Sequence, residues 1–421
     1  MSDPSFSRAR LRAVTREIAA IEDLLEYASP RNPTVWSRRG DMLVGIGSAV
    51  SFQGRPRREG TVLTQWWHDV TAAAEVDDTV GIPGTGLVAF GTLPFDAESA
   101  ATASFTVPEV ILGRRDGRSW VTRIHRVEDT QREDPLEPTP YGPHWSATVG
   151  PGTLTPDGYQ DAVRAGLDEI RAGAVSKVVL ARDLAGSVPA GSDLRRLVRA
   201  LAAAYPDTWT FAVDGLIGAS PETLVTVSGG TVTARVLAGT IARGADADAD
   251  TAASVTLATS AKDLDEHQYA VQSVLAALRP HTSALVAEEQ PFMLKLPNVW
   301  HLATDVEGAL DADASALDLL GVLHPTAAVA GTPTPSAIEL IRRLEPFDRA
   351  RYAGPVGWID AHGDGEWAIA LRCAQFDLET GPADRIPFTA HAGAGIVAGS
   401  DPEAEMLETR VKFRPIIDAL A

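Results

Sequence analysis

Two glutamates near the C-terminus, Glu405 and Glu408, are the residues from which a chemical reading starts. They stand three apart in Asp401-Pro402-Glu403-Ala404-Glu405-Met406-Leu407-Glu408, where Asp401 suits a helix N-cap and Pro402 the first helical position. On such a helix both carboxylates point to one side within the first two turns. Just before it, His391-Ala392-Gly393-Ala394-Gly395 is a glycine-rich run that lets backbone come close to a bound group. Carboxylate oxygens beside accessible amides could serve a cation and an anion together. Paired glutamates at this spacing are also ordinary on solvated helix faces, so the rest of the chain has to decide.

Size and composition narrow the choice. The chain has 421 residues, 45% apolar and 22% charged, the profile of a globular protein with ample core, and 36 Gly with 28 Pro imply many turns. The net charge of −19, from 37 basic and 56 acidic residues, excludes nucleic acid and anionic membrane surfaces as expected partners. Salt screens that field beyond about 8 Å, so a divalent cation with a few basic residues could still hold a small anion. No run approaches the roughly 18 apolar residues of a spanning helix, and Met1-Ser2-Asp3-Pro4 does not open a signal peptide. A cytoplasmic enzyme is the expectation. The single cysteine, Cys373, rules out an internal disulfide and reads as a core thiol.

The elements that must position these groups follow from periodicity. Residues 5–28 have helical spacing around Leu11, Val14, Ile18, Ile21 and Leu24, and residues 61–75 read as a second helix. Short apolar runs at 42–47, 86–91 and 109–112 read as strands of a mixed sheet. The polar, proline-rich stretch 128–155 marks the chief boundary, between residues 1–150 and 151–421. After it come a helix at Pro156–Arg171, a strand at 176–182 beginning Ser176-Lys177, and a helix at 194–205. A hairpin turns at Gly229-Gly230, and an exposed Ala/Asp loop covers 245–253. Ser260 to Asp263 is a capping box for a helix carrying Glu266, with His267 at the edge of its apolar stripe as a hydrogen-bonded core histidine. Residues 315–323 form a further helix, and residues 356–360 with 366–376 form a hairpin about Gly363-Asp364-Gly365.

Taken together, Lys177-Val178-Val179-Leu180-Ala181-Arg182, Ala219-Ser220-Pro221-Glu222, Leu237-Ala238-Gly239-Thr240, Lys262-Asp263 through Glu266-His267, Trp300-His301-Leu302-Ala303-Thr304, Leu323-His324-Pro325-Thr326, Tyr352-Ala353-Gly354, Gly357-Trp358, Leu371-Arg372 and the glycine-to-glutamate stretch form a pattern. In this order they resemble the chorismate-utilising enzymes, the family of isochorismate synthase, salicylate synthase and the large subunits of anthranilate and aminodeoxychorismate synthases. The resemblance spans about residues 175–415. It implies an α/β (α+β) fold of two stacked β-sheets flanked by helices, anthranilate synthase large subunit-like, with residues 1–150 completing it. It also implies Mg²⁺ as cofactor, with Glu266, Glu405 and Glu408 as its carboxylates, and chorismate as substrate. Arg372 and Lys412 correspond to partners of the substrate carboxylates. Gly239, Thr240, His301, Thr304, Ala328, Tyr352, Gly393, Ala394 and Gly395 correspond to the rest of the substrate pocket.

Within the family, members differ in what attacks C2 of the ring. Water needs a base, and the resemblance puts that role on Lys177, whose amine must then be free of its proton in part of the population. Glu222 corresponds to the acid that protonates the leaving C4 hydroxyl, so burial should keep it protonated. Ala328, in His324-Pro325-Thr326-Ala327-Ala328-Val329-Ala330-Gly331, resembles the isochorismate synthases, whereas salicylate synthases tend to carry threonine there. Ala327 departs from the commoner proline. The expectation is a monomeric isochorismate synthase without a glutaminase subunit, serving menaquinone or siderophore synthesis. Salicylate synthase and a non-catalytic chorismate-binding relative are the alternatives.

Overall fold

The computed structural model describes residues 10–129, 135–295, 299–311, 314–379 and 381–421. Within them the chain builds a sheet of thirteen strands, a second of ten, and eight α-helices. The helices are α1 (Pro56–Ala73), α2 (Pro156–Arg171), α3 (Arg195–Ala204), α4 (Ala247–Thr259), α5 (Ala261–Leu278), α6 (Ala316–Leu323), α7 (Thr334–Leu344) and α8 (Pro402–Leu420). No helix among the described residues is long and apolar enough to cross a membrane.

Each sheet takes strands from both sides of the 128–155 stretch, joined at one antiparallel seam. In the larger sheet Thr34–Arg38 pairs with Trp209–Val213, and in the smaller Val88–Thr92 pairs with Pro355–Asp360. The main core contains Trp36, Trp120 and Phe211 of the larger sheet and Phe90, Phe105, Trp358 and Trp367 of the smaller, all at most 2% exposed. Burial of aromatic surface on this scale supplies much of the folding free energy. Glu366 ties the layers together, accepting from Trp36 Nε1 at 2.8 Å and from Arg115 Nη2 at 2.6 Å.

The expected α/β layering is present, and the structure corrects three local readings. The expected helix over 5–28 is the strand Leu11–Ile18 followed by a short 3₁₀ turn, Leu24–Tyr27; residues 5–9 lie outside the described ones. Leu11, Ala13 and Thr15 are buried while Arg12 and Arg16 are not, a period of two stabilised by pairing with Arg118–Arg126. The expected loop at 245–253 lies largely within α4, because Asp246 caps it by accepting from Ala249 N and alanine favours helix. The run 366–376 is two strands, Gly365–Ile369 and Cys373–Phe376, which belong to different sheets. Cys373 is buried, its thiol donating to Ala370 O, as a core residue should.

Candidate active site

Lys177 opens the strand Lys177–Pro189, which pairs antiparallel with the glycine strand Arg385–Ile396. In that register Val179 faces Gly395 and Ala181 faces Gly393. A Cβ on Gly395 would lie 3.2 Å from Lys177 Cε, so the missing side chain is the space across which the lysine stem runs. Its amine then donates to Glu266 Oε1 at 3.2 Å. Glu266 is brought there by α5, whose N-cap Ser260 accepts from Asp263 N as the sequence implied.

The glycine strand runs into α8, capped by Asp401 through Glu403 N and Ala404 N. Met406, Thr409 and Phe413 form the buried face, and Glu405, Glu408 and Lys412 share a half-buried one. Lys412 Nζ donates to Gly393 O at 2.9 Å and to Glu408 at 2.5 Å. Burial raises the Glu405 carboxyl above its ordinary range, helped by the charge of Glu408 and opposed by a hydrogen bond to Ser400. Ala394 pairs with Leu180 and points to the other face of the strand, so it offers the site backbone only.

Glu222 and Arg372 occupy the two places where the chain passes between the sheets. Glu222 follows Leu216–Ser220 of the larger sheet and precedes Thr223–Ser228 of the smaller. Arg372 lies between the two strands split at Ile369 and Cys373. The crossings are bonded side by side: Ala219 N donates to Arg372 O, Ile369 N to Glu222 O, and Ser220 Oγ to Ile369 O at 2.6 Å. Arg372 has φ of 50°, a left-handed conformation that a non-glycine side chain holds only when its surroundings demand it. Neither the Glu222 carboxyl nor the Arg372 guanidinium has a hydrogen-bond partner among the described residues. Burial pushes Glu222 up to about 6 against the opposing charges of Arg372, Lys177 and Lys412. Burial also lowers Arg372 and Lys412 from their ordinary values.

Gly239 has φ of +79° at a register shift in the strand Thr231–Ala242, after which Thr240 pairs with His301. Of Thr240 only the backbone is described. His301 is held neutral, lowered to about 4 by burial and by Lys412 and Arg372. Tyr352 is buried, its phenol raised to about 12 by burial, and its ring stacks on His391 at 5.2 Å. Ala328 is half-buried in a turn where Val329 N and Ala330 N both donate to Thr326 O.

Bonds and charge interactions thus link Lys177, Glu222, Glu266, His301, Arg372, Glu405, Glu408 and Lys412 into one network. Thr304 is placed differently. That hydroxyl is 1% exposed and donates to His267 Nε2 at 2.8 Å, while His267 Nδ1 bonds Ala238 O, so both stand behind the site. The three expected metal carboxylates are not gathered into a ready cluster: Glu266 bonds Lys177, and among the described residues no three acidic, histidine or cysteine side chains are drawn together as a ligand set. The direct Lys177 to Glu266 bond joins residues 89 apart and had no signal in the sequence.

Two stacked sheets, the larger mixed and the smaller antiparallel, with a glycine strand feeding a helix of carboxylates, define the class of the protein. The chain belongs to the chorismate binding enzyme family, whose description matches residues 6–421. It is 37% identical over 342 residues to the isochorismate synthase DhbC of Bacillus subtilis, covering 78% of this chain and 80% of that protein. It is 34% identical over 460 residues to the isochorismate synthase MenF of the same organism, covering 98% and 94%. In fold it is similar to MenF, the menaquinone-specific isochorismate synthase from Escherichia coli, with a TM-score of 0.76 at 23% identity over 97% of this chain and 94% of that one. The anthranilate synthase component I of Streptococcus pneumoniae shares the fold with a TM-score of 0.67 at 21% identity, covering 99% and 93%.

Proposed function

We propose that this chain is an isochorismate synthase, an isomerase that converts chorismate to isochorismate. Water adds at C2, the ring double bonds shift, and the C4 hydroxyl leaves, so atoms balance with no further reactant. Lys177 takes the proton from the attacking water, and Glu222 gives one to the departing hydroxyl. The observation that carries this reading is Glu222: a carboxyl raised to about 6, without a hydrogen-bond partner among the described residues, within the field of Lys177 and Arg372. Such a group keeps enough proton near neutrality to donate it to a ligand. The free guanidinium of Arg372 would grip one substrate carboxylate bidentately, with Lys412 beside it. His301, being neutral, can donate a hydrogen bond without adding charge.

The residues fit Mg²⁺. Glu405 and Glu408 are hard oxygen donors one turn apart whose mutual repulsion a cation would relieve. Mg²⁺ is commonly held by one or two carboxylates plus substrate and water, so a preformed protein cage is not needed. Glu405 and Glu408, joined by Glu266, would hold it, and when bound it would offset the charge of the substrate's ring carboxylate. The enzyme would act in the cytoplasm as a monomer without a glutaminase subunit, its product feeding menaquinone or siderophore synthesis.

Incubation of the pure protein with chorismate and Mg²⁺, followed by separation of products, tests the reading. Isochorismate without pyruvate is expected, and chelation should stop turnover. Salicylate with pyruvate would instead establish a salicylate synthase. Binding without turnover would establish a non-catalytic relative, and full turnover under chelation would overturn the metal assignment.

A further inference from the structure

The strand Lys177–Pro189 has the glycine strand along one edge and, along the other, two short strands with a gap between them. Gly331–Thr332 pairs with Lys177 and Val178, and Thr148–Pro151 pairs only from Leu184 onward. Backbone groups left unpaired inside that gap would be costly, because a buried donor or acceptor without a partner keeps its full desolvation penalty. A pair of side chains takes the place of the missing strand. Arg349 Nη2 donates to Val179 O at 2.7 Å, and Glu345 Oε1 accepts from Ala181 N at 2.8 Å. The two are locked to each other, Arg349 Nε to Glu345 Oε2 at 2.8 Å and Nη2 to Oε1 at 2.5 Å. Their side chains are 2% and 1% exposed.

The remaining nitrogen of Arg349, Nη1, donates to Val329 O at 3.0 Å, and the guanidinium lies 4.5 Å from the centre of the Phe95 ring. Val329 follows Ala328, and Val179 N donates to Ala330 O at 2.9 Å. One buried pair therefore fastens the turn of Ala328 to the strand that begins at Lys177, and does so from the segment leading to Tyr352. Beyond satisfying these backbone groups, the pair joins two segments that each carry a residue of the proposed site.

We propose that Glu345 and Arg349 are positioning residues that fix the turn bearing Ala328 against the strand bearing Lys177, so that attacking water meets the ring in one geometry. Neither residue touches substrate; the inference rests on the roles of Lys177 and Ala328 proposed above. Arg349→Lys, Arg349→Met and the double replacement Glu345→Met with Arg349→Met separate positioning from packing. Where Arg349→Met fails to fold, the double replacement removes both charges at similar volume; it leaves Val179 O, Ala181 N and Val329 O without these partners, so it is expected to melt below wild type but above Arg349→Met. It should bind chorismate with KM within about twofold of wild type while kcat falls about tenfold to a hundredfold, since a small misplacement of reacting groups acts on kcat. Pyruvate should rise as a fraction of product, and Arg349→Lys should recover part of the rate. A folded double variant with wild-type kcat and product ratio overturns the proposal. Amide hydrogen exchange at Val179 and at residues 330–332 tests the same fastening even if the wild type makes no isochorismate. Faster exchange in the double variant supports it and unchanged exchange overturns it.

Discussion

Two ion pairs are fastened to the first residues of one strand, and they differ in nearly every physical respect. Lys177 with Glu266 is partly open, 18% and 32% exposed, and holds by a single hydrogen bond of 3.2 Å. Glu345 with Arg349 is closed, bonded twice within the pair, with other donors and acceptors committed to backbone. An ammonium has three donors and a carboxylate about four acceptor positions, so the open pair has capacity to exchange partners with a ligand. The closed pair has little. The difference teaches that incomplete satisfaction near solvent marks chemistry, whereas complete satisfaction in the interior marks framework.

The sharpest way to break that contrast is Lys177→Ala. Turnover should fall by about 10²–10⁴, the usual worth of a positioned base, while stability changes by about 1 kcal/mol or less. Steady-state assay beside thermal melting checks both halves, and near-normal turnover would reject the base assignment. Arg349→Met should behave in the opposite sense. It leaves Glu345 charged and buried, and urea unfolding should register a loss of about 3–5 kcal/mol.

A pH profile sharpens the same comparison on the acid side. Burial raises the Glu222 carboxyl to about 6, so the proton it would donate is lost as pH rises through that value. The kcat/KM profile between pH 5 and 9 should fall on its alkaline side with a midpoint of about 6, and Glu222→Gln should abolish that limb together with most of the rate. An unchanged limb in Glu222→Gln would assign it elsewhere. Ala328→Thr is expected to have the smallest effect, a minor release of pyruvate with folding intact, measured by coupled assay of the products.

Much of the site could be read from the sequence because its signals are local. Asp401 before Pro402 announces α8, Ser260 announces α5, and both caps form as their chemistry requires. Glycines 393 and 395 announce a close approach, although what approaches Gly395 is the stem of Lys177, more than two hundred residues earlier. Local spacing misled where distant pairing decides. Leu11, Val14 and Ile18 satisfy a helix on paper, yet the strand Arg118–Arg126 draws them into a sheet. The passage of the chain between sheets at Arg372 was equally hidden, since a continuous apolar run does not reveal which layer each half will join. Glu345 and Arg349, four apart on the chain, look like a solvated pair until the fold closes over them.

The two neighbouring crossings carry a mechanical consequence. The segments that carry Glu222 and Arg372 are bonded to each other through backbone, by Ala219 N to Arg372 O, Ile369 N to Glu222 O and Ser220 Oγ to Ile369 O. If the layers slide or breathe as ligand enters, those segments travel as one body, and the gap between the Glu222 carboxyl and the Arg372 guanidinium stays constant while the cleft around them changes width.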